Sequence, residues 1–383
     1  MITKRLFTAT AAAARKRNYS TSKLGFNDIV IVSAARTPVG SFMKSLAKVP
    51  AVELGALAIK ATLDRANLDP QKVEEVFMGN VISAGIGQAP ARQAAIKAGL
   101  PYSTEATTVN KVCASGMKAI IFGAQTLQLG DRNVVVAGGM EKFGNQTASD
   151  GILKDGLWDV YNNMHMGTCA DLTAAEYAIT REDQDLHAIE SYRRAKAAWD
   201  SGLFKSEIVP VTVKDRKGDK VIDMDDEYRN IQHRDGRKLL NPQRRSLRSS
   251  PHNLRTRPFL IPDPIAKILS FGEAATEPKK FTIAPSLAIP IALERAGVRK
   301  EEVELWEVNE AFSVVVRVNE KILGLDPEKV NTLGGAVALG HPIGSSAARI
   351  VVSLTHALKS GQIGVAAVCN GGGAASAMVI QRL

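Results

Sequence analysis

The chain has 383 residues, 45% of them hydrophobic, and a formal net charge of +10. That length can bury a large core in two or more domains, and no uncharged apolar run approaches the roughly 20 residues of a bilayer-spanning helix, which excludes an integral helical membrane protein. The charge is confined to two places. Residues 1–27 carry six cations and no acid, residues 229–258 carry eight arginines and Lys238 against Asp235 alone, and the remainder is mildly acidic. A basic nucleic-acid surface spread over the fold is thereby excluded. Three scattered cysteines, Cys113, Cys169 and Cys369, do not make a disulfide framework and fit a reducing compartment.

In chain order, residues 1–27 are rich in Ala, Ser, Thr and Arg, and Arg17-Asn-Tyr-Ser20 looks like a matrix-peptidase cleavage region. The composition predicts a mitochondrial transit peptide, and hence a matrix location; the bland alternative is a disordered basic tail. Folded sequence is expected from Asp28, where Ile29-Val-Ile-Val32 reads as a strand buried on both faces. A helix is predicted over 51–66, a second buried strand at Val76-Phe-Met78 closed by Gly79-Asn80, and a helix over 91–98 after Gly85, Gly87 and Pro90. Residues 114–129 place Ala114, Met117, Ile120, Ile121, Ala124 and Leu127 close to helical spacing, and Gly130 ends the run. Val134-Val-Val-Ala137 follows with Gly138-Gly139 behind it. Strands alternating with helices predict an α/β fold of parallel sheets covered by helices.

An internal repeat at an offset of 230 relates Ile59 to Ile289, Leu63 to Leu293, Arg65 to Arg295, Ala66 to Ala296 and Val73 to Val303. It extends further. Cys113 and His341 each precede by three residues a glycine, Gly116 and Gly344, and each opens a predicted helix leading to an apolar strand closed by glycines. Two such halves, packed together, bring both turns to one cleft. Cys113 would then sit at a helix N-terminus, where unpaired N–H groups and the helix dipole favour an anion, so its thiol is expected to ionise more readily than a free one of pKa about 8.5. The same position also suits a small buried residue. The C-terminal half adds Asn309 in Trp306-Glu-Val-Asn-Glu-Ala-Phe312, His341 in Gly340-His-Pro-Ile-Gly344 and Cys369 before Asn370-Gly-Gly-Gly373. Each lies at a strand end or helix start, where side chains reach a cleft, and a glycine run exposes N–H groups able to hold an oxyanion. Two thiols and an imidazole on matching turns point to acyl transfer through a cysteine thioester.

With these stretches assembled, the chain resembles the thiolase family, most closely its mitochondrial acetyl-CoA acetyltransferase branch. The likeness covers about residues 28–142, 150–231 and 264–383. It implies a thiolase-like fold of duplicated α/β halves, with mixed, mostly parallel sheets layered with helices. The N-terminal half would begin at 28–142, a substrate-covering region would span 143–228, and the C-terminal half 265–383. The resemblance also implies roles. Cys113 would be the acylated nucleophile, His341 its activator and a holder of the thioester oxygen, and Cys369 the acid/base acting on the methyl group of a second acetyl-CoA. Asn309, through a water, and the N–H groups of Cys113 and Gly371 would form two oxyanion sites. Tyr161, His165, Met166, Ala311 and Phe312 would shape a small acyl pocket. Substrates would be acetyl-CoA, acetoacetyl-CoA and coenzyme A, with no covalently bound cofactor and with self-association as a dimer.

Two departures qualify that resemblance. The loop after Lys142, which joins subunits into tetramers in the family, is shortened here, which argues against a tetramer. Residues 229–264 form an Arg/Pro-rich segment where the family has a substrate-contacting stretch, a strand and a helix that hold coenzyme A and potassium. Residues 233–262 show neither helical nor strand periodicity and read as a frameshifted or mis-spliced stretch, or else as a solvated basic loop. Tyr161 and Val337 match potassium contacts, but the alanines that complete that site are missing. A thiolase-like protein that binds acyl-CoA with impaired turnover is therefore the alternative.

Overall fold

The computed structural model describes residues 29–143, 151–229 and 263–383. The expected transit peptide, the 144–150 part of the shortened loop and the 233–262 segment lie outside the described residues.

The first half runs β1 (Val30–Ile31), α1 (Ala51–Ala66), β2 (Glu75–Gly79), α2 (Pro90–Lys97), β3 (Glu105–Val109), α3 (Ser115–Leu129) and β4 (Val135–Gly139). An excursion follows: β5 (Trp158–Asp159), β6 (Met164–His165), α4 (Met166–Glu176), α5 (Arg181–Asp200), β7 (Val211–Val213) and β8 (Lys220–Ile222). The second half runs β9 (Ala266–Ala275), α6 (Pro285–Ala296), β10 (Val303–Val308), α7 (Ser313–Leu323), α8 (Ala336–Leu339), α9 (Ile343–Ala357), β11 (Ile363–Asn370) and β12 (Ala374–Arg382). Local chemistry accounts for many boundaries. Asn67 and Gly297, related by the 230-residue offset, close α1 and α6 in the left-handed conformation, and Thr180 and Asp183 form a reciprocal capping box at the start of α5.

The sheets are mixed. In the first, β2 lies between β3 and β4 and pairs with both in parallel. The second has the order β1-β9-β12-β11-β10, parallel only between β10 and β11. The glycine run 371–373 is the hairpin between β11 and β12, with Gly372 and Gly373 at φ +88° and +81°. Its return strand was not anticipated from the sequence. Helices α3 and α9 pack against each other between the halves, and a Cβ on Gly116 would come within 2.8 Å of the Ala348 nitrogen. A Cβ on Gly139 would collide with the Gly344 carbonyl, and on Gly79 it would lie 2.5 Å from the same oxygen. These glycines let α9 rest on the ends of β2 and β4, which places the start of α9 beside the start of α3.

Candidate active site

Cys113 lies in the turn from β3 into α3. Val112, just before it, has φ +47°, a left-handed conformation costly for a β-branched residue and often found where a reactive side chain is forced into position. The turn is held by the Val112 N–H donating to Asn110 Oδ1 at 3.0 Å and by Ser115, whose Oγ accepts the Lys111 N–H at 2.9 Å. The expected placement at the helix mouth is observed, but the expected ionisation is not. Burial pushes the thiol up to about 12, and the Glu141 charge adds to this; the N–H groups of Gly371 and of Cys113 itself oppose it only in part. Desolvation by packing from both halves outweighs a helix terminus, because it acts on the whole charge. The resting thiol is therefore protonated and needs a base.

His341 precedes α9, and Ile343, two residues on, packs with Val112 and Cys113. Ser346 Oγ lies 2.7 Å from His341 Nδ1, and Asn309 Nδ2 lies 3.5 Å from the same nitrogen. These contacts fix the ring and leave Nε2 buried and without a partner among the described residues. Burial, followed by the Arg349 charge, lowers the imidazole to about 4, so it is neutral at pH 7 and able to accept a proton. A histidine held below its ordinary pKa of about 6.5 stabilises the fold above that pH, and this contribution is lost as pH falls from 6.5 through 4. His341→Asn should thus lose less stability on acidification across that window, by about 1–3 kcal/mol, in chemical denaturation measured at pH 7 and pH 4. Equal losses in both proteins would contradict the burial of a neutral ring.

Cys369 is wholly buried near the end of β11, opposite Ala375 of β12. Its pKa is raised well above the ordinary value by burial first and then by charge at Cys113. Asn309 follows β10; its N–H donates to the Ala367 carbonyl at 2.9 Å, and its Oδ1 is buried without a partner among the described residues. A Cβ on Gly371 would lie 3.5 Å from Val112 Cγ1 and 3.9 Å from Met166 Cε, so the hairpin covers the Cys113 turn. Met166 and Cys369 share one apolar cluster, against which Ala311 and Phe312 pack. His165 caps α4, its Nδ1 accepting the Gly167 N–H at 2.9 Å. Tyr161 is 72% exposed in the β5–β6 hairpin, close to Gly372.

Two carboxylates that the sequence reading passed over brace this arrangement. Glu141 accepts N–H groups from Val81 (3.0 Å), Ile82 (3.3 Å) and Gly344 (3.0 Å), tying the first half to α9. Glu310, beside Asn309, accepts from Ser191 Oγ (2.7 Å), Asn331 Nδ2 (2.9 Å) and the Val337 N–H (3.0 Å). It thereby anchors the approach to His341. An acidic residue inside Met140-Glu-Lys142 and Asn309-Glu-Ala-Phe312 was the available signal, but nothing local shows that its partners are backbone N–H groups from elsewhere in the chain.

The model of the thiolase N-terminal domain matches residues 29–150 and 142–244, and that of the thiolase C-terminal domain matches 262–382. The chain belongs to the thiolase family. Within it, the chain is 48% identical to mitochondrial acetyl-CoA acetyltransferase A of Xenopus laevis over 96% of this chain and 94% of that one, and equally to mitochondrial acetyl-CoA acetyltransferase of Bos taurus over the same shares. Among solved structures it is similar to the Acat5 thiolase from Ascaris suum in complex with coenzyme A, with a TM-score of 0.81 and 40% identity over 93% of this chain and all of that one. In this thiolase no group of three or more His, Cys, Asp or Glu side chains suited to a metal occurs among the described residues. Tyr161 and Val337 could offer a potassium ion only a phenol oxygen and a main-chain carbonyl, two oxygens where a hard cation takes about six or more. These two residues alone would leave such a site incomplete.

Proposed function

We propose that this thiolase is an acetyl-CoA C-acetyltransferase, catalysing the reversible Claisen condensation of two acetyl-CoA to acetoacetyl-CoA and coenzyme A. The observation that carries this reading is the convergence on one site of two protonated thiols, half-buried Cys113 and buried Cys369, and a neutral imidazole whose Nε2 has no partner among the described residues. His341 takes the proton of Cys113 as the sulfur attacks the thioester carbonyl of acetyl-CoA. Cys369, protonated at rest, gives its proton to the departing coenzyme A thiolate. The thiolate left on Cys369 is poorly solvated and therefore strongly basic, as removal of a proton from the methyl group of a second acetyl-CoA requires. The resulting carbanion attacks the acetyl group on Cys113, and the expelled thiolate recovers its proton from His341. The N–H groups of Cys113 and Gly371 hold one developing oxyanion; His341, with Asn309 acting through a water, holds the other. Met166 and Phe312 limit the acyl pocket to a short chain, with Ala311, His165 and Tyr161 completing its surroundings. Incubation with acetyl-CoA should release one coenzyme A per acetoacetyl-CoA formed.

The second reading, an impaired acyl-CoA-binding thiolase, is favoured by the Arg/Pro-rich composition of residues 233–262. Saturable coenzyme A binding without condensation or thiolysis would establish it. We further place the protein in the mitochondrial matrix as a dimer. The relatives are named mitochondrial, and residues 1–27 carry cations without acids. The mature chain from purified mitochondria is expected to begin near Ser20 by N-terminal sequencing; intact Met1 in a cytosolic fraction would refute this.

A further inference from the structure

The β5–β6 hairpin lies against the glycine run, yet its strands are two residues each and pair at Trp158 with His165 and at Asp159 with Met164. A ladder of that length does not hold itself together in water. What closes it is Asp159, 3% exposed, to which the proposed chemistry gives no role. Its Oδ1 accepts the N–H groups of Tyr161 at 2.9 Å and Asn162 at 3.3 Å, and its Oδ2 accepts Asn162 Nδ2 at 2.6 Å. A further donor comes from another element. Cys169, wholly buried in α4, brings its Sγ to 3.8 Å from the same Oδ2. Burial first, and then the Asp159 charge, push the Cys169 thiol up, so it stays protonated and donates.

These donors lead to different walls of the acyl pocket. Tyr161 carries its ring to 4.0 Å from where a Cβ on Gly372 would stand, one residue after the Gly371 N–H that faces Cys113. Cys169 follows Met166 by one turn of α4, and both belong to the apolar cluster that contains Cys369. Met164, on the return strand of the hairpin, packs against that cluster too. The Asp159 carboxylate thus ties the tip of the hairpin to the helix that carries Met166. A buried carboxylate is stable only while its oxygens are supplied with donors, so it fixes the groups that supply them. Without it the tip is free to leave Gly372, and the space bounded by Met166 and Phe312 opens.

We infer that Asp159, with the Cys169 thiol, is a positioning residue that sets acyl-chain selectivity by holding the β5–β6 hairpin against α4 and the glycine run. The inference rests on the short-acyl reading of the pocket proposed above. It assigns the limit on chain length to the fastening of the hairpin as well as to the side chains that line the pocket.

The probes are the S-ethyl and S-hexyl thioethers of coenzyme A, which bind without acyl transfer, titrated calorimetrically into the full chain. In Asp159→Ala the hexyl compound should gain on the ethyl compound by at least about tenfold in the ratio of their Kd values, the scale on which a pocket discriminates a methylene. The amides of Tyr161 and Asn162 should exchange with solvent at least about tenfold faster. Asp159→Asn keeps the size and the Oδ1 contacts but sets an amide against Asn162 Nδ2 and the Cys169 thiol. It should shift the ratio the same way, and it carries the test should the alanine variant fail to fold. Adding Asn162→Asp reverses donor and acceptor and should return the ratio to within about threefold of the parent. A folded variant with an unchanged ratio, even one of lower stability, would make Asp159 a structural residue only and overturn the inference. Unchanged exchange at Tyr161 and Asn162 would overturn it as well, and so would a double variant no closer to the parent than Asp159→Asn. Binding is read apart from turnover. A shifted ratio without condensation would sink the catalytic reading alone, and condensation with an unshifted ratio would sink this one alone.

Discussion

Cys113→Ser should fold normally and yet take up no acetyl group from labelled acetyl-CoA, while the parent protein acquires a stable label on the peptide carrying Cys113. The side chain sits in a turn held by backbone and Ser115 contacts rather than by its own sulfur, so exchange of one half-buried atom should cost little stability. The chemical loss is large. A thiol raised by burial still gives up its proton far more readily than a serine hydroxyl in the same surroundings, and the sulfur is the stronger nucleophile. Condensation should fall by on the order of a thousandfold or more. Mass spectrometry of the digested protein decides the matter. A stable acetyl label on a peptide lacking Cys113, or uptake by the serine variant at the parent rate, would remove Cys113 from its assigned role.

Cys369→Ala should instead separate the two half-reactions. Loading Cys113 requires no carbon acid, so acetylation should persist, slowed by loss of the proton that the departing thiolate takes. Condensation, which requires a base at the methyl group of the second substrate, should fall by about 10²–10⁴-fold. Stability must be measured alongside, because Cys369 is fully buried in the second-half core, and a small cavity there costs about 1 kcal/mol. A variant that folds, acetylates and fails to condense supports the acid/base role. Condensation at the parent rate would make Cys369 a packing residue.

Some of this was legible in the chain itself. The helices at 51–66 and 115–129 and the strand at 75–79 follow from periodicity and residue type within a few positions of each element. The 230-residue repeat announced two halves with the same order of elements, and with it the convergence of the Cys113 and His341 turns. Such signals are local, or they repeat a local pattern, and so survive without coordinates. The ionisation of Cys113 did not, because the helix terminus is local while the desolvation that overrides it comes from residues distant in sequence, among them Ile343. Nor did the braces at Glu141 and Glu310, whose partners lie as far away as Gly344 and Ser191. The unequal halves were decided in three dimensions as well. Only pairing shows that β12 completes the second sheet between β9 and β11, because a strand's neighbours are set by hydrogen bonds between segments and leave no mark on its own sequence.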